Sequence, residues 1–314
     1  MAGPGTTWPA QYRIECWAGS PAARLGGVSS DPTVAYAGEP GAFAEDAVLA
    51  YFGPDAVRIG HPSFRRVFEA VAAGEAGAGV IPIENVVNGT VRENYDLLLE
   101  HELGIRGEVV VPVRLCLAAL PGQRLDDIER VYSHIQALGQ AEAFLRTRPW
   151  QLLSTYNTAG AGKSIVDREE RGAAAVLSPR AATSFGLEIL VDEVGDLPGN
   201  RTRFLVLGAA GATVPPGIAE SPGTPLRTTL VLTVENEPGT LLAALRVFAE
   251  HGLNMSELES RPSRERAWEY VFWVELDADA AAPETGAALE GLRAVTTMVR
   301  VLGSYPRASD GPGA

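Results

Sequence analysis

The sequence predicts an α/β protein in two parts, a larger region of alternating strands and helices followed by a small split βαββαβ module. Three observations carry this. From Pro32 onward, short apolar runs alternate with segments whose apolar residues recur at helical spacing. The stretch Ala209 to Pro225 holds four prolines, several glycines and a single charged residue, Glu220, which is linker composition. Beyond it the order is strand, helix, strand, strand, helix, strand, the order of a ferredoxin-like module.

Residues 1–31 are rich in Gly, Pro, Ala and Ser without a sustained period and read as a poorly ordered leader. Thr33 to Tyr36 is a short strand and Ala42 to Tyr51 an amphipathic helix. Ala78 to Ile83 is an apolar strand running into a Gly-bearing loop, and Val91 to Glu100 places Tyr95, Leu98 and Leu99 on one helical face. Val109 to Leu120 reads as one long strand. Arg130 to Tyr132 follows as a strand, Gln136 to Arg146 and Ala159 to Arg171 as helices, and Ala173 to Leu177 as a buried strand. After the linker come strand Thr228 to Val234, helix Thr240 to Glu250, strands Asn254 to Ser260 and Glu269 to Leu276, helix Ala281 to Arg293 and strand Thr297 to Leu302. The expected division is leader 1–31, an α/β domain 32–208, linker 209–225, the small module 226–305 and a tail 306–314.

Hydrophobic residues make up 46% and charged residues 21%, so the chain can fill cores and does not fit the composition of disorder. With 39 acidic against 26 basic residues the net charge is -13, and no basic run could track a phosphate backbone, which argues against nucleic acid. The same field repels anions, so an anion site must be built locally from arginines and helix N-termini. Lys163 is the only lysine. Cys16 and Cys116 show no metal-ligand spacing and no secreted framework, and no apolar run is long enough for a bilayer. A reducing, cytoplasmic setting without membrane contact is expected.

Three strand-to-helix loops combine small residues with a hydroxyl or amide: Gly38 to Phe43, Glu84 to Thr90 and Tyr156 to Gly162. In an open α/β sheet such loops gather at the carboxyl ends of the strands, where helix-start N–H groups hold carboxylates. Each taken alone is also what a cap or turn requires. The glycines follow neither G-x-G-x-x-G spacing nor a phosphate loop, which disfavours a nucleotide. His61, His101 and His251 have no catalytic neighbourhood, His134 suits packing or cleft orientation, and Cys116 sits in an apolar strand as an inert thiol.

A fourth segment, Gly199-Asn200-Arg201-Thr202-Arg203-Phe204, leads into an apolar run. Asn-x-Thr-Arg-Phe before a strand resembles the signature of prephenate dehydratases, as do Ile81 to Asn85 followed by Gly89, Ser133 to Leu138, and Asn157-Thr158-Ala159. Pro238 to Leu242 with Glu259-Ser260-Arg261-Pro262 resembles the regulatory ACT domain attached to that enzyme. The resemblance runs from about Thr33 to Tyr305. Ile135, Val86 and Thr240 depart from the family pattern, and none of them touches the Thr-Arg-Phe segment.

The resemblance implies a bilobal dehydratase domain like type II periplasmic binding proteins plus a βαββαβ ACT domain, converting prephenate to phenylpyruvate without cofactor or metal. It places catalysis at Thr202, Arg203 and Phe204, with Thr202 beside the leaving hydroxyl, Arg203 toward a substrate carboxylate or bracing the loop, and Phe204 packed inward. Glu84, Asn85, Gly89, Asn157, Thr158 and Ala159 are the substrate-binding set; Glu84 also suits a structural pairing. L-phenylalanine would bind as allosteric effector at Gly239, Thr240, Leu241, Glu259, Ser260, Arg261 and Pro262, in a homodimer or homotetramer. Two rivals of the same fold are an arogenate-preferring dehydratase and a non-catalytic sensor of aromatic acids.

Overall fold

The computed structural model describes residues 32–210, 212, 214–218, 223–263 and 269–308; the expected leader, Cys16, part of the linker and most of the tail lie outside them. Packing divides the chain into two compact units, described separately. In chain order the first runs β1 (Val34–Ala37), α1 (Phe43–Phe52), β2 (Arg58–His61), α2 (Phe64–Ala72), β3 (Ala78–Asn85), β4 (Gly89–Thr90), α3 (Arg92–Glu100), β5 (Leu103–Pro112), β6 (Cys116–Ala119) and β7 (Arg130–Ser133). It continues with α4 (Ile135–Gln140), α5 (Glu142–Leu145), β8 (Gln151–Ser154), α6 (Thr158–Asp167), β9 (Ala173–Leu177), α7 (Pro179–Ser184), β10 (Glu188–Val191) and β11 (Arg201–Ala209).

These strands form two sheets, β2-β1-β3-β11-β5 with β4 beside β3, and β10-β6-β9-β7-β8. Each is the core of one lobe. β1, β2 and β3 are parallel, as are β7, β8 and β9, so their following loops gather at one edge of each sheet. The helices start where the sequence supplies caps: Ser63 accepts from Arg66 N–H, Asn157 from Gly160 N–H, and Ser178, ahead of Pro179, from Ala181 N–H. β9, central in the second sheet, is 0% exposed at all five residues, which its short apolar run requires of a strand covered on both faces.

Two expectations are corrected. Val109 to Leu120 is not one strand: β5 ends at Pro112 in the first sheet and β6 begins at Cys116 in the second. Pro112 has no N–H with which to extend the ladder, and Val113 N–H turns to Asn200 O (2.8 Å) at the crossing between lobes. Gln136 to Arg146 is two short helices broken at Ala141, whose φ of -117° and ψ of 19° lie outside the helical region. Within the expected linker 209–225, Val214 packs against the first lobe's core and Ile218 N–H bonds Tyr51 O (2.8 Å).

The lobes meet at the start of α1. Gly41 has φ +91°, and a Cβ there would stand 2.7 Å from Ala181 Cα, so only glycine lets α7 approach this closely. Ser178 Oγ donates to Gly41 O (3.0 Å). Glu45, 5% exposed, accepts from Gly41 N–H (2.7 Å), Arg58 Nε (2.7 Å) and Arg180 Nη1 (2.9 Å), while Arg180 Nε also bonds Asp46. Burial pushes the Glu45 carboxyl up, but the Gly41 N–H and the two guanidiniums outweigh it and hold the group below its usual range. Asp46 is held above its usual value by burial, against the pull of Arg180.

The second unit holds β12 (Leu226–Thr233), α8 (Thr240–Glu250), β13 (Met255–Pro262), β14 (Tyr270–Leu276), α9 (Pro283–Arg293) and β15 (Met298–Pro306), with strand order β13-β14-β12-β15. This is the split βαββαβ sheet the sequence predicts. Leu230, Leu232, Val274 and Leu276 form its core with Ala244 and Phe248 of α8 and Ala288 and Leu292 of α9. Among the described residues no helix is long and apolar enough to cross a membrane.

Two outcomes are expected. Glu45→Gln should lose about 3 kcal/mol, the typical cost of breaking a buried pair from one side. Because the folded pKa of Glu45 is depressed, the gap between wild type and variant should be full at pH 7 and close as pH falls below about 4, through that depressed value. Urea unfolding at several pH values checks both. Cys116 is 0% exposed and its thiol is pushed up to about 12, chiefly by burial. A Cys16→Ser chain should therefore leave a thiol reagent unreacted when native and titrate one thiol after denaturation.

Candidate active site

β3 ends and β11 begins at the same edge of the first sheet, with Thr202 opposite Asn85 and Arg203 opposite Glu84. Asn85, 8% exposed, organises this corner. Its Oδ1 accepts from Val87 N–H (3.0 Å) and Asn88 N–H (2.9 Å), which fixes the amide's orientation. Its Nδ2 then faces Asn200 Oδ1 (2.8 Å), Arg201 O (3.0 Å) and Thr202 Oγ1 (2.9 Å). Thr202 Oγ1 is thus an acceptor, and no acceptor among the described residues takes its hydrogen. Gly89, at φ +72°, closes the hairpin opposite Asn85.

Alternation along the strand sends Arg203 to the other face of the sheet from Thr202. There Arg203 meets Glu108 (3.2 Å), whose side chain is 1% exposed, and Glu84 (3.4 Å). Glu84 is therefore paired and does not share Asn85's face. Phe204 is 2% exposed and packs in the first lobe's core, as expected of a residue turned inward.

A cleft of about 690 Å³ has walls from both lobes: Tyr36, Gly38, Glu39, Arg58 and His61 from the first, Tyr156 and Asn157 from the second. The Asn85–Thr202 corner is not part of its lining. Asn157 caps α6 and Thr158 is its first residue, so the Thr158 and Ala159 N–H groups start that helix without intrahelical acceptors. The Ala159 side chain lies in the second lobe's core, which leaves only its N–H for a ligand. Tyr36's phenol is raised to about 12 by burial, with Glu45 beside it, and stays protonated. His134 caps α4, accepting from Gln136 N–H (3.4 Å), and burial lowers its pKa, which suits a neutral imidazole. The sequence did not single out Tyr36, Glu45, Arg58 or Arg180; Glu39 lies in the Gly38 to Phe43 loop that it did, and His61, which it gave no catalytic neighbourhood, lines the cleft.

In the second unit, Thr233, Val271 and Arg261 lie in one row across β12, β14 and β13. The row puts the start of α8 and the end of β13 at the same sheet edge. Gly239, at φ +92°, occupies the N-cap of α8, and Thr240 Oγ1 donates to Glu235 O (2.7 Å) and Glu237 O (2.9 Å). Leu241 and Glu259 are half-buried, while Ser260 and Pro262 at the strand end are exposed.

Residues 34–212 match the family model described as prephenate dehydratase, and residues 228–294 that of the ACT domain. A bifunctional chorismate mutase/prephenate dehydratase from Aquifex aeolicus is 36% identical over 277 residues, 88% of this chain and 74% of that one. Arogenate dehydratase/prephenate dehydratase 1 of Arabidopsis thaliana is 35% identical over 294 residues, 89% and 73%. Among solved structures, the prephenate dehydratase of Arthrobacter aurescens in complex with L-Phe superposes with TM-score 0.78 at 32% identity, covering 90% of this chain and 92% of that one. GqqA, described as a novel type of quorum quenching acylase, gives TM-score 0.79 at 32% identity, covering 88% and 98%. With the two-lobed α/β unit, the split βαββαβ unit and a family model spanning more than half the chain, this protein belongs to the prephenate dehydratase family and carries an ACT domain after the dehydratase region.

Proposed function

We propose that the chain catalyses the decarboxylating dehydration of prephenate to phenylpyruvate, carbon dioxide and water, and that L-phenylalanine regulates it through the ACT domain. The catalytic part is assigned to 32–208 and the regulatory part to 226–305. The observation that carries the proposal is the Asn85–Thr202 corner. Asn85 occupies a lone pair of Thr202 Oγ1, so the hydroxyl hydrogen points elsewhere and can be donated to the leaving ring oxygen.

Loss of the carboxylate as carbon dioxide supplies the electron pair that expels the ring hydroxyl, and the ring becomes aromatic. The hydroxyl must take up a proton as it leaves. A threonine is too weak an acid to lose its own proton outright, so Thr202 acts as a hydrogen-bond donor or as one link of a relay from water. Asn157 with the first N–H groups of α6 is assigned to a substrate carboxylate. Arg203, engaged by Glu84 and Glu108, is assigned the bracing role, holding β11 against β3 and β5 behind Thr202. The arogenate reaction is the second reading, and one observation favours it, the Glu39 carboxylate in the cleft wall.

For the effector, the helix-start N–H groups after Gly239 suit the carboxylate of a free amino acid, Leu241 faces the ring, and the Glu259 to Pro262 strand end closes the pocket. In this family such loops meet across a dimer, so the active form is proposed to be a homodimer or homotetramer, working in the cytoplasm. Binding that favours one of two cleft arrangements is then allosteric in the two-site sense.

Thr202→Ala should fold normally and lose about 10²- to 10³-fold in kcat, the usual cost of one transition-state donor, while Thr202→Ser keeps most turnover. Near-wild-type turnover by the alanine variant would refute the role. Gly239→Val, which places a side chain at φ +92°, should abolish phenylalanine binding by calorimetry on the full chain while dehydratase activity persists.

A further inference from the structure

The charges around the cleft do not balance. Glu45 and Asp46 are matched by Arg58 and Arg180 in one closed cluster, which leaves those two guanidiniums satisfied within the protein. Glu39 lies outside that cluster. Its carboxylate lines the cleft and is met by a neutral partner, the Tyr156 phenol, which donates to Oε1 (3.2 Å) from the opposite lobe. Lys163, near enough to feel Glu39, is already paired with Asp167 (2.7 Å). His61 and Tyr36, on the same lobe as Glu39, are the other titratable groups of the lining outside that cluster. A carboxylate in that position raises the potential energy of a dianion and lowers that of a cationic group.

We propose that Glu39, oriented by Tyr156, sets the cleft's discrimination between the two side-chain forms of its substrate, favouring an α-ammonium over an α-keto group. The assignment rests on the dehydratase function proposed above and names the residue that decides between its two substrates. The α-ammonium of arogenate meets Glu39 as an ion pair, whereas the keto group of prephenate offers only an acceptor to an acceptor. Prephenate still binds through its carboxylates at the α6 start, and Glu39 lowers its share relative to arogenate.

The test is kcat/KM for arogenate and for prephenate, measured side by side. Glu39→Gln should lower the arogenate-to-prephenate ratio at least tenfold, with the prephenate value rising and the arogenate value falling. Glu39→Asp should keep the ratio within about threefold. In the unmodified enzyme, raising salt from 0.02 to 0.5 M should reduce the same ratio, because the half-exposed charge is screened. If both values fall together in Glu39→Gln, or the ratio stays within twofold and does not respond to salt, the proposal is overturned. Turnover of neither substrate by the wild type would instead overturn the dehydratase function, and the Glu39 assignment with it.

Discussion

One carboxylate with almost no water around it ties the dehydratase unit together. Glu45 receives a backbone N–H from the loop after β1, a guanidinium from β2 and a second guanidinium from α7 in the other lobe. A buried ion is tolerable only when its lone pairs are filled, and here three elements each fill one, two of them near in sequence and α7 far along the chain. The loop that shapes the cleft, the edge strand beside it and the docking of the second lobe therefore share one electrostatic condition. Gly41 and Ala181 show the steric side of the same constraint, since the ion pairs form only if the two backbones come this close.

A chain of net charge -13 whose proposed substrate carries carboxylates has to find positive potential locally. Arg58, Arg180 and Arg203 are held by Glu45, Asp46, Glu84 and Glu108, and Arg201 donates its Nε to Gly199 O. Backbone polarity at the start of α6 and hydrogen-bond donors such as Thr202 then carry much of the recognition. A site of this kind recognises shape and donor geometry more than bulk charge, so one extra carboxylate weighs heavily in what it accepts.

Much of this was legible in the residues. Local caps and the apolar β9 are short-range patterns whose physics lies within a few positions, and each appears where expected. The split between β5 and β6 was not, because an apolar run looks the same whether it stays in one sheet or crosses to another; only the Asn200 partner of Val113, far along the chain, decides it. Arg203 shows the same limit. Its motif marks it as important, yet its orientation follows from Glu108 and from strand alternation, which a linear motif does not display. Glu45 and Arg180 stand 135 residues apart, with nothing in either neighbourhood that names the other.

The two passages between the lobes are themselves joined, since Val113 N–H bonds Asn200 O where the β5–β11 ladder reaches Pro112 and Arg201. They form a two-strand ribbon, and a rotation of one lobe on the other must bend there. Thr202 sits beside that ribbon and so lies near the pivot, where displacement is smallest. Asn157 and the Gly38 to Phe43 loop are not part of that ribbon and would travel through the larger arc. Any such rotation would sweep the groups proposed to capture the substrate while the Thr202 hydroxyl stayed almost still, like the pin of a pair of tongs.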